Sequence, residues 1–221
     1  LLGFAGRCEP GLQFLTPGGR GWIAALGRLP QGGLGVSDFA GGHHVGRAGG
    51  GWTAGRLANR VLGGLDLVLE QLDRVTEALQ HQDVELAEFV IVDDDRIDGR
   101  FLEVHQGILS MLAREAPVAG DLRLVAALLH VIKHIERMGD QCVNIAKLIP
   151  LSGHEPPRRE EILERLIQMG RHARTEVVQS KTAFARRDVA LAEEVIADDA
   201  KIDELAVALD EAWCRQDALG Q

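Results

Sequence analysis

Tyrosine is absent from this chain, and with six Phe and three Trp the aromatic share is only 4%. Strands favour aromatic and β-branched residues, so a β-sandwich is not expected. Cysteine is almost as scarce: Cys8, Cys142 and Cys214 stand far apart, which gives neither a disulfide framework nor a paired zinc motif and fits a reducing compartment. Basic residues are outnumbered, 24 Lys and Arg against 33 Asp and Glu, for a net charge of -9. Neutralising nucleic-acid phosphates needs a basic face, so nucleic acid is not an expected partner. No apolar run approaches a membrane-spanning length, and Glu9, Pro10 and Pro17 interrupt the region where a secretory leader would have its core. What the chain does have is 46% hydrophobic residues over 221 positions, enough to bury a substantial core.

Glycine is plentiful but concentrated. Of the 26 glycines, 17 lie in residues 1–55, with four basic and two acidic residues and no sustained apolar period. Ordering so many glycines loses more entropy than the few apolar residues there would repay. Residues 1–55, including the pair His43 and His44, are therefore expected to be a disordered extension without function. The remainder carries a net charge of -11.

From Leu57 onward, runs of Leu, Ala, Glu and Arg about 20 to 30 residues long succeed one another, as in a helical bundle with short connections. They are interrupted near Gln80–Asp83, around Pro117, at residues 152–157 and at Arg186–Asp188. Pro117 ends the helix before it, and Asp121 is placed to cap the next. The fold class is accordingly all-α.

An internal repeat organises this region. DVELAEFVIVDDDRID at 83–98 and DVALAEEVIADDAKID at 188–203 agree at 11 of 16 positions with an offset of 105. The chain then divides into a first helical bundle at 56–151, a linker at 152–157 and a second bundle at 158–221. The repeat of Pro117 would fall at position 222, so the second bundle is expected to be incomplete and to expose an apolar face.

The repeated segment carries acids in an unusual place. On a helical wheel, Val90, Ile97, Phe101, Val104 and Ile108 form one apolar arc, Ile91, Leu102 and Leu109 form a second, and Asp94, Asp98 and His105 fall between them. Asp199 and Asp203 repeat the arrangement beside Val195, Ile196, Ile202 and Val207. A carboxylate withdrawn from water needs a partner, either a cation shared by an i, i+4 pair or a salt bridge from another helix. A second row, Glu136, Asp140 and Asn144, runs at the same spacing along HIERMGDQCVNIAKLI beside Leu128, Ile132, Ile135, Gly139, Val143 and Ala146. Oxygen donors from the two rows are expected to meet across the bundle, with Gly139 marking a close helix approach. His130 and His134 have chelating spacing but are read as core or surface residues, and Lys133 and Arg137 as a solvated face. Met138, Cys142 and Trp213 are read as packing residues.

The string LAREAPVAGDLRLVAALLHVIKHIERMGDQCVNIAKLI at 112–149 resembles the signature of the PhoU family of phosphate-uptake regulators. Its P-x-A-x-D-L-R element corresponds to Pro117, Ala119, Asp121, Leu122 and Arg123, and its E-R-x-G-D element to Glu136, Arg137, Gly139 and Asp140. The resemblance covers about residues 57–221 and implies tandem three-helix bundles. It further implies a cytoplasmic, non-enzymatic homodimer that negatively regulates phosphate uptake and phosphate-starvation signalling. Such a protein is an adaptor between the ATPase of the phosphate ABC transporter and a sensor histidine kinase, touching the membrane only through those proteins.

Divalent or iron ions on acid-x-x-x-Asp motifs are implied as well. Glu136 and Asp140 match one motif; where the family often places the other pair, this chain has Phe101 and His105, which leaves Asp94, Asp98 and His105 as donors. The alternative reading is a metal-binding bundle with a purely structural or oligomerisation role. A carboxylate-bridged di-iron enzyme is disfavoured because no His in the chain has a Glu three residues before it.

Overall fold

The structure is a computed structural model, and it describes residues 53–114, 119–152 and 160–219. The expected disorder of residues 1–52, the Pro117 turn, most of the 152–157 linker and the Trp213 side chain lie outside the described residues, while Ala54 and Gly55, expected to belong to the disordered extension, instead open the first helix behind its Thr53 cap. Among the described residues the secondary structure is entirely helical. Helix α1 spans Ala54–His81, α2 Val84–Asp93, α3 Asp95–Arg114 and α4 Ala119–Leu148, after which comes a 3-10 turn at Ile149–Ser152. Helices α5, Glu160–Arg186, and α6, Val189–Leu219, form the second unit.

The repeat extends beyond the residues that reveal it in sequence. Helix α1 ends on Gln82 at φ 53°, and α5 ends on Arg187 at φ 54°, 105 residues later. In each case the next residue is an aspartate that makes two contacts. The Asp83 amide donates to the Ala78 carbonyl at 2.9 Å, and the Asp188 amide donates to the Ala183 carbonyl at 2.9 Å. The same side chains then cap the next helices, accepting from the amides of Leu86 at 2.9 Å and Leu191 at 3.0 Å. One residue pair thus ends a helix and starts its antiparallel neighbour, without a glycine in the left-handed position.

The two repeats differ at one point. The run from 83 to 114, expected as a single helix, tightens at Asp94, where the Ile97 amide donates to the Asp94 carbonyl at 2.8 Å. Three consecutive aspartates are weak helix formers, and α1 holds two of them. Arg74 pairs with Asp93 at 2.8 Å, and Gln71 donates to Asp94. In α6 the third position is Ala200, Asp198 pairs with Lys201 on its own helix at 2.8 Å, and the helix runs on without interruption.

Helix α4 also departs from expectation. It already contains Ala119, so Asp121 stands inside its first turn rather than at the N-cap.

Packing is built around α1, which contacts α2, α3, α4 and α5. Leu57, Val61, Leu65 and Val68 of α1 meet Ile97, Val104 and Ile108 of α3 and Leu128, Ile132 and Ile135 of α4. Val177, Ala183 and Phe184 of α5, with Ala192 and Val195 of α6, join that same core. Ion pairs from Arg174 to Asp73 and from Lys181 to Asp66 flank the α1–α5 contact. A smaller core at the other end of the first unit joins Val75, Ala78, Ala87, Val90, Cys142, Ala146 and Ile149. The second unit buries Ile162 and Met169 against Ile202 and Leu209. No described helix is long and apolar enough to cross a membrane.

Candidate functional site

The acids of the first unit gather where the α2–α3 junction crosses α4. Asp94 Oδ1 accepts a hydrogen bond from Gln71 Nε2 of α1 at 3.2 Å. A Cβ on Gly139 of α4 would lie 2.7 Å from the same oxygen and 3.0 Å from Ile97 Cδ1, so only glycine leaves room for Asp94 here. Gln71 is 1% exposed, and its Oε1 has no hydrogen-bond partner.

Burial pushes the Asp94 carboxyl above its ordinary range; Gln71 opposes this, and Asp98, Asp140 and Asp95 add to it. The Glu136 carboxyl is likewise raised, first by burial and then by Asp140 and Asp98, with Arg137 opposing and Asp94 adding. Asp94, Asp98, Glu136 and Asp140 therefore form one electrostatically coupled cluster of four acids, drawn from the α2–α3 junction, α3 and α4.

The second unit repeats the cluster with a change. At the position equivalent to Gln71, 105 residues on, α5 carries Glu176. Its carboxyl is pushed up to about 7, mainly by burial, then by Asp199, Asp198 and Asp203, with Lys201 opposing. Asp199 is 9% exposed, the most enclosed aspartate described. An amide donor facing an aspartate in the first unit has become a second acid in the other.

Other predicted residues are placed differently. The wheel put Asp98 within an apolar arc, but Leu102 and Leu109 on that side are each 54% exposed, and Asp98 is exposed with them. Helix α3 buries only the narrower arc through Ile97, Val104 and Ile108. Asn144 continues the α4 row into solvent, and the His105 ring stacks on Phe101 with centroids 5.8 Å apart. Of the signature residues, Leu122 and Arg123 are exposed and Gly139 is buried.

His130 is exposed and His134 half-buried, its basicity lowered by burial and by Arg137, His130 and Lys133. Burial raises the Cys142 thiol to about 12, and Met138 is buried; both pack as expected. Gln71 and Glu176 were not anticipated. Extending the 105-residue repeat upstream would have paired them, and Gln71 falls among the buried positions Val68 and Val75. Among the described residues, no three His, Cys, Asp or Glu side chains converge closely enough to hold one metal ion.

Fold and site together define a duplicated helical-bundle protein with a partly buried acidic cluster in each repeat. The chain belongs to the PhoU domain family, whose model matches residues 64–149 and 166–221, one stretch in each repeat. It is 38% identical over 139 residues to the phosphate-specific transport system accessory protein PhoU homolog of Aquifex aeolicus, covering 63% of this chain and 62% of that protein. The homolog from Clostridium acetobutylicum is 31% identical over 137 residues, 62% of each chain. The PhoU protein of Serratia marcescens is 30% identical over 149 residues, 67% of this chain and 60% of its own. The chain thus spans about three fifths of the length of these relatives.

Proposed function

We propose that this chain acts in phosphate uptake as a cytoplasmic, non-enzymatic accessory of the phosphate-specific transport system. In this reading it restrains uptake and the phosphate-starvation response, linking the ATPase of the ABC transporter to a sensor histidine kinase. The observation that carries it is the family match in both repeats, together with relatives named as transport accessory proteins. Deleting the gene and monitoring a phosphate-repressed promoter in high phosphate tests it. Derepression that the reintroduced gene reverses is expected; unchanged repression would sink the adaptor role.

The acidic cluster extends the proposal to a cation. Asp94, Asp98, Glu136 and Asp140 supply hard oxygen donors, and a divalent or iron ion would relieve the mutual repulsion that helps raise Asp94 and Glu136. Holding one requires these side chains to turn toward a common point, since no three converge as they stand. Elemental analysis of untagged protein is expected to find at least one ion per chain, lost when Glu136→Ala and Asp140→Ala are combined. Substoichiometric metal in the unaltered protein, or no loss in the double variant, counts against it.

A further inference from the structure

The outer face of the α3–α4 pair carries apolar side chains that neither helix uses for its own packing. At 100° per residue, Asp98, Leu102, Leu109 and Leu112 of α3 fall within an arc of about 80°, and Leu122, Lys133, Glu136 and Asp140 of α4 within about 60°. The two arcs border one groove. The helices are packed neighbours, Asp98 acts on the Glu136 carboxyl at one end, and only four residues separate α3 from α4 at the other. Leu102 and Leu109 line it at 54% exposure, with Leu122 at 52% and Leu112 at 38%. These are four of the ten large hydrophobic side chains left exposed among the described residues. They are no legacy of the duplicated helix either, since α6 has Val207, Cys214 and Asp217 where α3 has Leu102, Leu109 and Leu112. An apolar row left open on a folded surface marks an interaction site.

The groove is acidic at the end where α3 begins. Asp98, Glu136 and Asp140 make no ion pair among the described residues. Burial, then Asp140 and Asp98, raise the Glu136 carboxyl, as expected of acids short of a countercharge. Leucines along the groove and carboxylates at one end together describe the missing occupant.

We propose that this groove receives an amphipathic helix of a partner protein, its apolar face over Leu102, Leu109, Leu112 and Leu122 and a Lys or Arg pair at its N-terminal end against Asp98, Glu136 and Asp140. Asp98 and Leu112 stand about 21 Å apart along α3, so four turns of helix fill the groove. The N-terminal end of a helix is the positive end of its dipole, which sets the partner parallel to α3. Lys133 is exposed on the α4 side, about 10 Å along the helix from Asp140, and calls for an acid in the partner's second or third turn. The inference rests on the adaptor reading and gives it a docking surface. An anionic membrane fits less well, because the acids beside the leucines would meet lipid phosphates of their own sign.

A fluorescein-labelled peptide of about 16 residues, leucine-rich on one helical face and carrying a lysine pair at its N-terminus, tests this by anisotropy on the full chain with a chelator present. Saturable binding is expected, weakened about tenfold or more by Leu102→Ser with Leu109→Ser, and likewise by exchanging the peptide's lysines for glutamates. Asp98→Lys with Asp140→Lys is expected to reverse the preference, so that the glutamate peptide binds better. Circular dichroism is expected to show both variants folded, since each altered side chain is exposed. Absent binding, undiminished binding by the leucine variant, or an unreversed charge preference overturns the proposal. Cosedimentation with anionic vesicles that disappears in the leucine variant would assign the groove to a membrane, and self-association that disappears with it would assign it to a second copy; either overturns the proposal. The promoter assay keeps the two readings apart. Unchanged repression on deletion sinks the adaptor role, whereas a leucine variant that restores repression in the deletion strain overturns the docking groove alone.

Discussion

Gly139→Ala is expected to destabilise the folded chain by about 1 to 2 kcal/mol, although alanine is the better helix former. The added Cβ would lie 2.7 Å from Asp94 Oδ1 and 3.0 Å from Ile97 Cδ1. Asp94 has little freedom to yield, because Gln71 holds the same oxygen from α1. Either the hydrogen bond breaks, leaving buried Gln71 with only its long 3.5 Å bond from Nε2 to the Val90 carbonyl and Oε1 still unpaired, or α4 moves off the α2–α3 junction. The propensity gain of about 1 kcal/mol offsets only part of that loss. Gly99 provides the contrast: it sits in α3 with nothing within 4 Å of where a methyl group would stand, so Gly99→Ala is expected to stabilise by about 0.5 to 1 kcal/mol. Urea denaturation of both variants reads the difference directly. A Gly139→Ala chain as stable as Gly99→Ala would show that the approach of α4 to Asp94 is not a tight one.

Glu176→Gln is expected to stabilise the chain at pH 8 and to do little near pH 4. The Glu176 carboxyl is pushed up to about 7 in the folded chain from an ordinary value of 4.5. Between these values the folded state keeps a proton that the unfolded state has lost, so stability falls as pH rises through that window and levels off above it. Glutamine stands in for the protonated acid at every pH and is the residue found at the equivalent position 71. Glu176 is half-buried, so solvent screening discounts the full shift to a gain of about 1 to 2 kcal/mol at pH 8. Thermal melts at both pH values give the answer. A gain of equal size at pH 4 and pH 8 would mean that the substitution acts through packing rather than through the charge.

The sequence was most informative where a pattern repeats. The Asp-Asp-x-x-Ile-Asp segment, the breaks at Gln82 and Arg187 and the α4 row all lie where period and offset place them. Asp94 and Glu136 were legible as acids bordering apolar stripes on neighbouring helices, and the structure brings them close enough for Asp94 to add slightly to the raised Glu136 carboxyl. The width of a buried arc was not legible: Leu102 and Leu109 are apolar yet exposed, and they made Asp98 look enclosed. Periodicity says which residues share a face and not how much of that face a neighbour covers. The tightening at Asp94 escaped as well, because it depends on Arg74 and Gln71 reaching over from α1. Gln71 and Glu176 were missed for a related reason: a polar residue in an apolar stripe becomes meaningful only when its facing helix is known.

The joint core along α1 and α5 separates two ideas that a tandem repeat invites one to merge. Val177, Ala183 and Phe184 belong to the second copy of the repeat, yet they complete the hydrophobic packing of the first. Opening the first bundle therefore uncovers part of the second, so the two are expected to unfold in one transition, although Ile162, Met169, Ile202 and Leu209 form a core of the second unit's own. Duplication here produced a unit of sequence, while the unit of stability is the pair.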